Sequence, residues 1–194
     1  MNLLSMLGAI RTGQDIINKT TQKFDKGFLM LQGRIKEIKY LIQKHGKDPK
    51  IRQIAADILT QKTIVSGTTN LGWAIKQKDY LAELKAIFKW VRENIRYQFD
   101  PVNKDIIESP FTTIKLKLAD CDGLTVLIGS LAQSMGYPVV IKIIKQGDTG
   151  RMYHIYPLVG IPPSNPRGWI ALDAIFNKPI GYQVEYSKMW KIKV

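Results

Sequence analysis

One stretch constrains the fold more than any other, because residues 122–135 are apolar on almost every side of the helix that they would form. A surface helix carries a single apolar stripe, whereas a helix that is apolar all round belongs in a core. Gly136 follows directly, and glycine is the residue that most often ends a helix. We therefore predict a central helix surrounded by other elements.

The pattern changes to that of strands after Gly136. Residues 139–144, 152–159 and 169–173 are short segments rich in β-branched and aromatic residues, and clusters of Gly, Pro, Asn and Ser separate them. Residues 183–186 are a candidate fourth strand. Helices followed by an antiparallel meander predict an α+β fold in which the buried helix lies on the sheet.

Three amphipathic helices are predicted before the central one, each from an apolar stripe at helical spacing. His45-Gly46 ends the first helix, and Asp48-Pro49 caps the second one, so we expect these two to pack as a hairpin. The stripes are Phe28, Leu31, Ile35, Ile38 and Ile42; Ile51, Ile54, Ala55, Ile58 and Leu59; and Tyr80, Leu84, Ile87, Phe88, Val91 and Ile95.

A polar loop at residues 66–70 is the best candidate for a domain boundary. We predict a Lys-rich helical extension over residues 1–65 and a core over residues 66–194. No apolar stretch reaches the roughly 18 residues of a membrane span, and the first residues lack the features of a secretory signal. These observations predict neither a membrane anchor nor a signal peptide.

The chain is strongly basic, with 29 Lys and Arg residues against 16 Asp and Glu residues and a net charge of +13. Such a charge favours weak binding to nucleic acid, an anionic membrane or a cell-wall polymer. The lysines are nevertheless scattered, without an Arg-rich run, so we interpret most of them as solvated helix faces.

The only cysteine, Cys121, comes at the start of the predicted central helix. A single cysteine excludes an internal disulfide and an all-thiolate zinc site. The N–H groups and the dipole at a helix start favour the thiolate. His154 on the second strand could accept the thiol proton and Asp173 on the third could orient the imidazole, whereas His45, at the end of a surface helix, is a weak candidate.

Two acids flank this cysteine. Asp120 could cap the helix and Asp122 could lie in its first turn, and both positions suit the dipole. Their charges would raise the pKa of the thiol and oppose its activation. We therefore favour a capping role over a catalytic one, and substrate contact is an alternative for Asp122.

The residues around these three positions resemble a known family. DCDGLTVLIGSLAQSMGYPV at 120–139, then YHIY at 153–156 and GWIALDA at 168–174, resemble the Cys-His-Asp core of the transglutaminase-like superfamily, a branch of the papain-like cysteine enzymes. They also resemble small transglutaminase-like proteins encoded by bacteriophages. Residues 90–97 and 109–115 resemble the segments that precede the cysteine in such domains, so the likeness covers residues 79–175.

The resemblance implies a role for each residue of the triad. Cys121 would be the nucleophile, His154 the general base and acid, and Asp173 the residue that orients the histidine. The Cys121 backbone N–H would provide part of the oxyanion stabilisation, and no metal or cofactor is expected. The sequence departs from the family after Asp173, where Ala174-Ile175 replaces the usual Pro-Thr.

The predicted function is a cysteine-dependent hydrolase or acyltransferase that acts on amide or peptide bonds through a thioester, and we favour hydrolysis over crosslinking. Expected partners are a peptide or protein substrate and, for a virion-associated peptidase, virion proteins; host cytoplasm or virion would be its location. The alternatives are a peptidoglycan endopeptidase, whose AspCysSerGly motif differs by one residue, a non-catalytic virion assembly protein and a polyanion-binding module.

Overall fold

Five helices and eight strands make up the part of the chain that the computed structural model describes, which is residues 26–60, 62–64, 71–73, 75–99, 106–145 and 153–194. The predicted boundary between residues 65 and 66 lies outside these ranges and stays a prediction. The helices are α1 (Lys26–His45), α2 (Pro49–Leu59), α3 (Tyr80–Asn94), α4 (Pro110–Leu116) and α5 (Cys121–Ser134). The strands are β1 (Lys62–Ile64), β2 (Leu71–Trp73), β3 (Arg96–Tyr97), β4 (Leu118–Ala119), β5 (Val139–Lys145), β6 (Tyr153–Ile161), β7 (Gly168–Ala171) and β8 (Lys188–Lys193).

Helix α5 is the centre of the fold, as its all-round apolar sequence predicts. The other four helices pack against it, and β5 and β6 contact it from the sheet. Its apolar side chains are buried on every side, and the chain turns away at Gly136, whose φ of +87° favours glycine. The prediction of a central helix on an antiparallel sheet is confirmed.

Helices α1 and α2 end and begin where their capping residues predict. Helix α1 stops at His45, and the Asp48 side chain accepts a hydrogen bond of 2.8 Å from the Lys50 backbone N–H ahead of α2. The predicted hairpin is wrong, however, because both helices pack mainly on α5 rather than on each other. Each apolar stripe is buried against the central helix, which is apolar on every side. The side chain of Phe28 lies outside those that the structure describes.

The main sheet has the strand order β7-β6-β5-β8, and every pairing in it is antiparallel. The prediction of a fourth strand at residues 183–186 is wrong, since that strand is β8, which pairs with the far edge of β5. Val184 and Tyr186 instead lie across the face of the sheet that is turned away from α5. The alternating apolar residues of 183–186 therefore reflect packing on that face rather than hydrogen-bonded pairing with another strand.

This second face of the sheet contains a buried cation. Lys142 is 2% exposed, and its Nζ donates a hydrogen bond of 2.6 Å to Gln183 Oε1. The ammonium group lies 4.4 Å from the ring centroid of Tyr186 and 5.3 Å from that of Tyr156, distances that give cation–π attraction. These contacts fix the segment after β7 against the sheet.

Among the described residues, no helix has the combination of length and apolar character that a bilayer span requires.

Candidate active site

Cys121 is the first residue of α5, and Asp120 caps that helix. Oδ1 of Asp120 accepts hydrogen bonds of 2.9 Å from the backbone N–H groups of both Asp122 and Gly123. The parallel pairing of β3 with β4 brings the chain to this point. The predicted capping role of Asp120 is therefore confirmed, and it holds the first turn in place around the sulfur.

The first turn of α5 is attached directly to β6. Thr125 Oγ1 lies 2.7 Å from the Cys121 carbonyl oxygen and 3.1 Å from the Ile155 carbonyl oxygen, so its hydroxyl hydrogen links the helix to the strand. The Ile155 backbone N–H faces the sulfur of Cys121 and stabilises its charged form. The thiol thus lies against the residue that follows His154.

His154 and Asp173 form a close hydrogen-bonded pair. Nε2 of His154 lies 2.6 Å from Oδ2 of Asp173, whose side chain is almost completely buried. The imidazole packs against the rings of Tyr156 and Phe176, at centroid distances of 5.2 and 5.8 Å. Since Nε2 is engaged by the carboxylate, Nδ1 is the ring nitrogen left for another partner.

Sequence reasoning missed Arg34, which reaches this site from α1. Its Nε donates a hydrogen bond of 2.9 Å to Oδ2 of Asp122, its Nη2 contacts the same oxygen, and Nη2 lies 4.0 Å from Oδ2 of Asp120. Arg34 and Asp122 are separated by 88 residues. A weak signal was present, because Arg34 lies three residues after Leu31 and four before Ile38, on the apolar side of α1.

The surroundings of Cys121 favour its neutral thiol. Burial raises its pKa most, followed by the charges of Asp122 and Asp120 and by the hydrogen bond of 3.4 Å that Sγ donates to Asp122 Oδ1. The Ile155 N–H acts in the opposite direction. The opposition between the flanking acids and the thiolate, predicted from the sequence, is therefore a property of the folded site.

The polar atoms of Asp120, Cys121 and Asp122 lie within 4.8 Å of one another. The guanidinium of Arg34 already places a positive charge against these carboxylates, so we do not assign them to a metal.

Tyr97 on β3 is a second residue whose position the sequence did not reveal. Its partner in the ladder is Ala119, two residues before the cysteine. Burial raises the pKa of Tyr97 most, and the charges of Cys121, Asp120, Asp122 and Asp173 raise it further. The phenol is therefore a protonated hydrogen-bond donor in the electrostatic field of both halves of the site.

His45, the other histidine, lies away from this site at the end of α1. It is 7% exposed, and its ring packs edge-on against Phe111 at 5.5 Å. Burial, and then the charge of Lys44, lower its pKa. The His45 side chain is therefore buried beside Phe111 of α4, although the neighbouring Gln43 and Lys44 at the end of α1 are exposed.

Two substitutions of Asp120 separate the effect of its helix cap on stability from the effect of its charge on the thiol. We expect Asp120→Ala to lower the free energy of unfolding by about 1 kcal/mol, and Asp120→Asn to retain the cap. Both changes remove a negative charge beside the sulfur and should lower the pKa of Cys121, so that iodoacetamide labels it faster at pH 8. Thermal unfolding and labelling rates measure the two effects, and equal destabilisation by both variants would contradict the capping role.

A protein-family model for the transglutaminase-like superfamily matches residues 68–174, more than half of the chain. The chain therefore belongs to the transglutaminase-like superfamily, as its resemblance at Cys121, His154 and Asp173 predicts. A comparison with curated protein sequences found no match. The bacteriophage origin and virion role stay predictions.

Several solved structures are similar at low identity. A candidate cysteine protease from Cytophaga hutchinsonii is 14% identical with a TM-score of 0.48; the match covers 86% of this chain and 48% of that protein. Calcium-bound LapG from Legionella pneumophila is 17% identical with a TM-score of 0.45, and 75% of each chain is covered. A TGase is 12% identical with a TM-score of 0.37, over 90% of this chain and 39% of that one. This chain spans about half the length of the Cytophaga protein, and the family assignment rests on the family model.

Proposed function

We propose that this protein is a cysteine hydrolase that cleaves amide or peptide bonds through a thioester on Cys121. The observation that carries the proposal is the 2.6 Å hydrogen bond between His154 and the buried Asp173. The next residue of the strand, Ile155, contacts the first turn of α5, which begins at Cys121. A buried carboxylate that engages one imidazole nitrogen fixes the ring and its tautomer, leaving the other nitrogen to act as a base. The family to which the chain belongs supports the same assignment.

Proton transfer in this site would accompany attack rather than precede it. Because burial and the flanking carboxylates raise the pKa of Cys121, the resting sulfur is a neutral thiol. As Sγ bonds to the substrate carbonyl carbon, Nδ1 of His154 takes the thiol proton, and Asp173 stabilises the resulting imidazolium. The imidazolium then gives this proton to the leaving amine as the C–N bond breaks, and the thioester remains.

Hydrolysis completes the cycle with the same residues. His154 takes a proton from water as the water oxygen attacks the thioester, and it gives this proton to the sulfur as the C–S bond breaks, which releases a carboxylic acid and restores the thiol. If an amine replaced water, the same steps would give acyl transfer. The negative oxygen formed in each step would lie at the start of α5, where the Cys121 backbone N–H can donate to it, and the protonated Tyr97 is our candidate for a second donor.

The proposal is tested with three substrates and one variant. Casein, purified muropeptides and a casein–alkylamine mixture distinguish general proteolysis, peptidoglycan cleavage and acyl transfer, and mass spectrometry detects each product. We expect cleavage of peptide bonds by the wild-type chain and none by Cys121→Ala. Equal activity of the two chains, or a biological role that Cys121→Ala retains in full, would instead favour the non-catalytic assembly protein.

A further inference from the structure

Arg34 is held rigidly against the acidic turn that carries the thiol. Its side chain is 19% exposed. The two oxygens of the Asp122 carboxylate have different partners, since Oδ2 accepts from two nitrogens of Arg34 and Oδ1 accepts from Cys121 Sγ. One carboxylate therefore connects the guanidinium to the sulfur. Asp122 itself is 2% exposed, so its charge is compensated by protein rather than by water.

The packing of α1 fixes the position of this arginine. Ile35, Ile38 and Ile42 are buried in one cluster with Val126 of α5 and with side chains of the sheet. Gly129 of α5 allows the close approach, because a Cβ at that position would lie 2.8 Å from Ile42 Cδ1 and 3.0 Å from its Cγ1. Arg34 thus starts from a backbone that is docked tightly on the helix of the nucleophile.

We propose that Arg34 is a positioning residue for the nucleophile: acting through Asp122, it compensates the negative charge of the first turn, so that negative charge can develop on the Cys121 sulfur as the thiol loses its proton. The inference rests on the proposed function, because it concerns the same thiol. It also goes beyond that function, because Arg34 lies outside the matched segment of residues 68–174, and so a helix of this chain's own extension would complete the site.

The charge balance around the sulfur explains why one arginine matters. Among the described residues, its charged and titratable neighbours come from several elements, and most of them are acidic. The groups whose charges interact with the sulfur are Asp120 and Asp122 at the start of α5, Arg34 of α1 and Tyr97 of β3. Asp173, after β7, interacts with Tyr97 and pairs with His154 of β6, and the Glu108 carboxylate lies beside Gly123 in the first turn of α5. With an effective dielectric constant near 20, one unit charge a few ångströms away changes an ionisation constant by about tenfold or more.

Labelling by iodoacetamide tests this proposal directly, because the chain has one cysteine and every labelled molecule reports on Cys121. In the full chain, we expect Arg34→Gln to lower the labelling rate at pH 8 by about tenfold and to move the pH midpoint upwards. The gain in nucleophilicity that accompanies a higher thiol pKa offsets part of this loss. Lys36→Gln removes an equal charge from the exposed side of the same helix and should leave the profile unchanged.

A double variant separates electrostatics from structure. Arg34→Gln combined with Asp122→Asn should restore labelling to at least the wild-type rate, because both members of the ion pair lose their charge together. The proposal is overturned if Arg34→Gln behaves like Lys36→Gln, or if the double variant is as slow as Arg34→Gln alone. The second result would mean that Arg34 acts only by holding the fold.

Two further variants keep the test decisive if Arg34→Gln fails to fold. Arg34→Lys retains the positive charge and should label within a few fold of wild type, whereas Asp122→Asn should label faster, since Arg34 then faces the sulfur uncompensated. An Asp122→Asn chain that labels no faster than wild type overturns the proposal. Labelling needs no substrate, so a chain that shows this charge dependence but cleaves nothing would refute the hydrolase while still showing that Arg34 controls the reactivity of the thiol.

Discussion

Replacing His154 with alanine is expected to slow acylation of Cys121 by about 10²–10⁴-fold, the usual contribution of a positioned general base. The effect should be large because the pKa of the thiol is raised, so at neutral pH little thiolate exists and attack depends on proton transfer to the imidazole. A thiol-directed acyl electrophile, followed by mass spectrometry across a range of pH, measures the rate. The loss should be greatest near pH 7. It should become smaller at higher pH, where hydroxide in solution begins to deprotonate the thiol without His154.

Two controls make this result specific to the proposed pair. His45→Gln removes the other histidine, which packs against Phe111 away from Cys121, and should leave the acylation rate unchanged. Asp173→Asn removes the charge that stabilises the imidazolium and should lower the rate in the same direction as His154→Ala. Wild-type Cys121 that reacts no faster than a free thiol, with no change in either His154→Ala or Asp173→Asn, would exclude the proposed mechanism.

Removal of residues 1–45 is expected to abolish cooperative folding. Ile35, Ile38 and Ile42 are almost fully buried, and together they contribute about 5–9 kcal/mol of apolar burial. That sum is comparable with the whole stability of a typical domain, about 5–15 kcal/mol. The truncated chain would also expose Val126, Ile143 and the rest of the cluster that α1 covers. Circular dichroism and thermal unfolding of residues 46–194 against the full chain provide the measurement.

A graded variant shows whether packing of α1 is the cause. Ile38→Ala leaves the helix in place and should lower the free energy of unfolding by about 2–5 kcal/mol, whereas Lys36→Ala, on the exposed side, should change it little. A truncated chain that unfolds cooperatively near the temperature of the full chain would show that α1 is dispensable.

The sequence predicted those features of the fold that are local. Apolar residues on every side of 122–135 require burial, and short segments rich in β-branched residues between turns require strands, so α5 and the three strands of the meander could be predicted. Caps such as Asp48 and Asp120 depend on residues two or three positions away. His154 and Asp173, proposed from their places on neighbouring predicted strands and supported by the resemblance around Cys121, hydrogen bond in the folded chain.

The features that escaped prediction depend on distant partners. The apolar stripe of α1 shows that the helix is buried on one side, but does not show that this side meets α5 instead of α2. The alternating pattern of residues 183–186 is compatible with a strand that pairs in the sheet and with a segment that packs across one face of it. Because β8 pairs with β5, residues 183–186 pack on the face. Arg34 and Asp122 are each ordinary charged residues in the sequence, and their pairing follows from the docking of two helices.

The position of β8 has a consequence for how the protein forms during translation. Strand β5 is a central strand of the sheet, yet its second neighbour is synthesised more than 40 residues later. Pairings between such distant segments close large loops and form slowly. When α5 and β5 of a nascent chain have emerged from the ribosome, Asp173 and the edge strand β8 have not. We therefore expect the thiol to emerge well before the residues that would make it reactive.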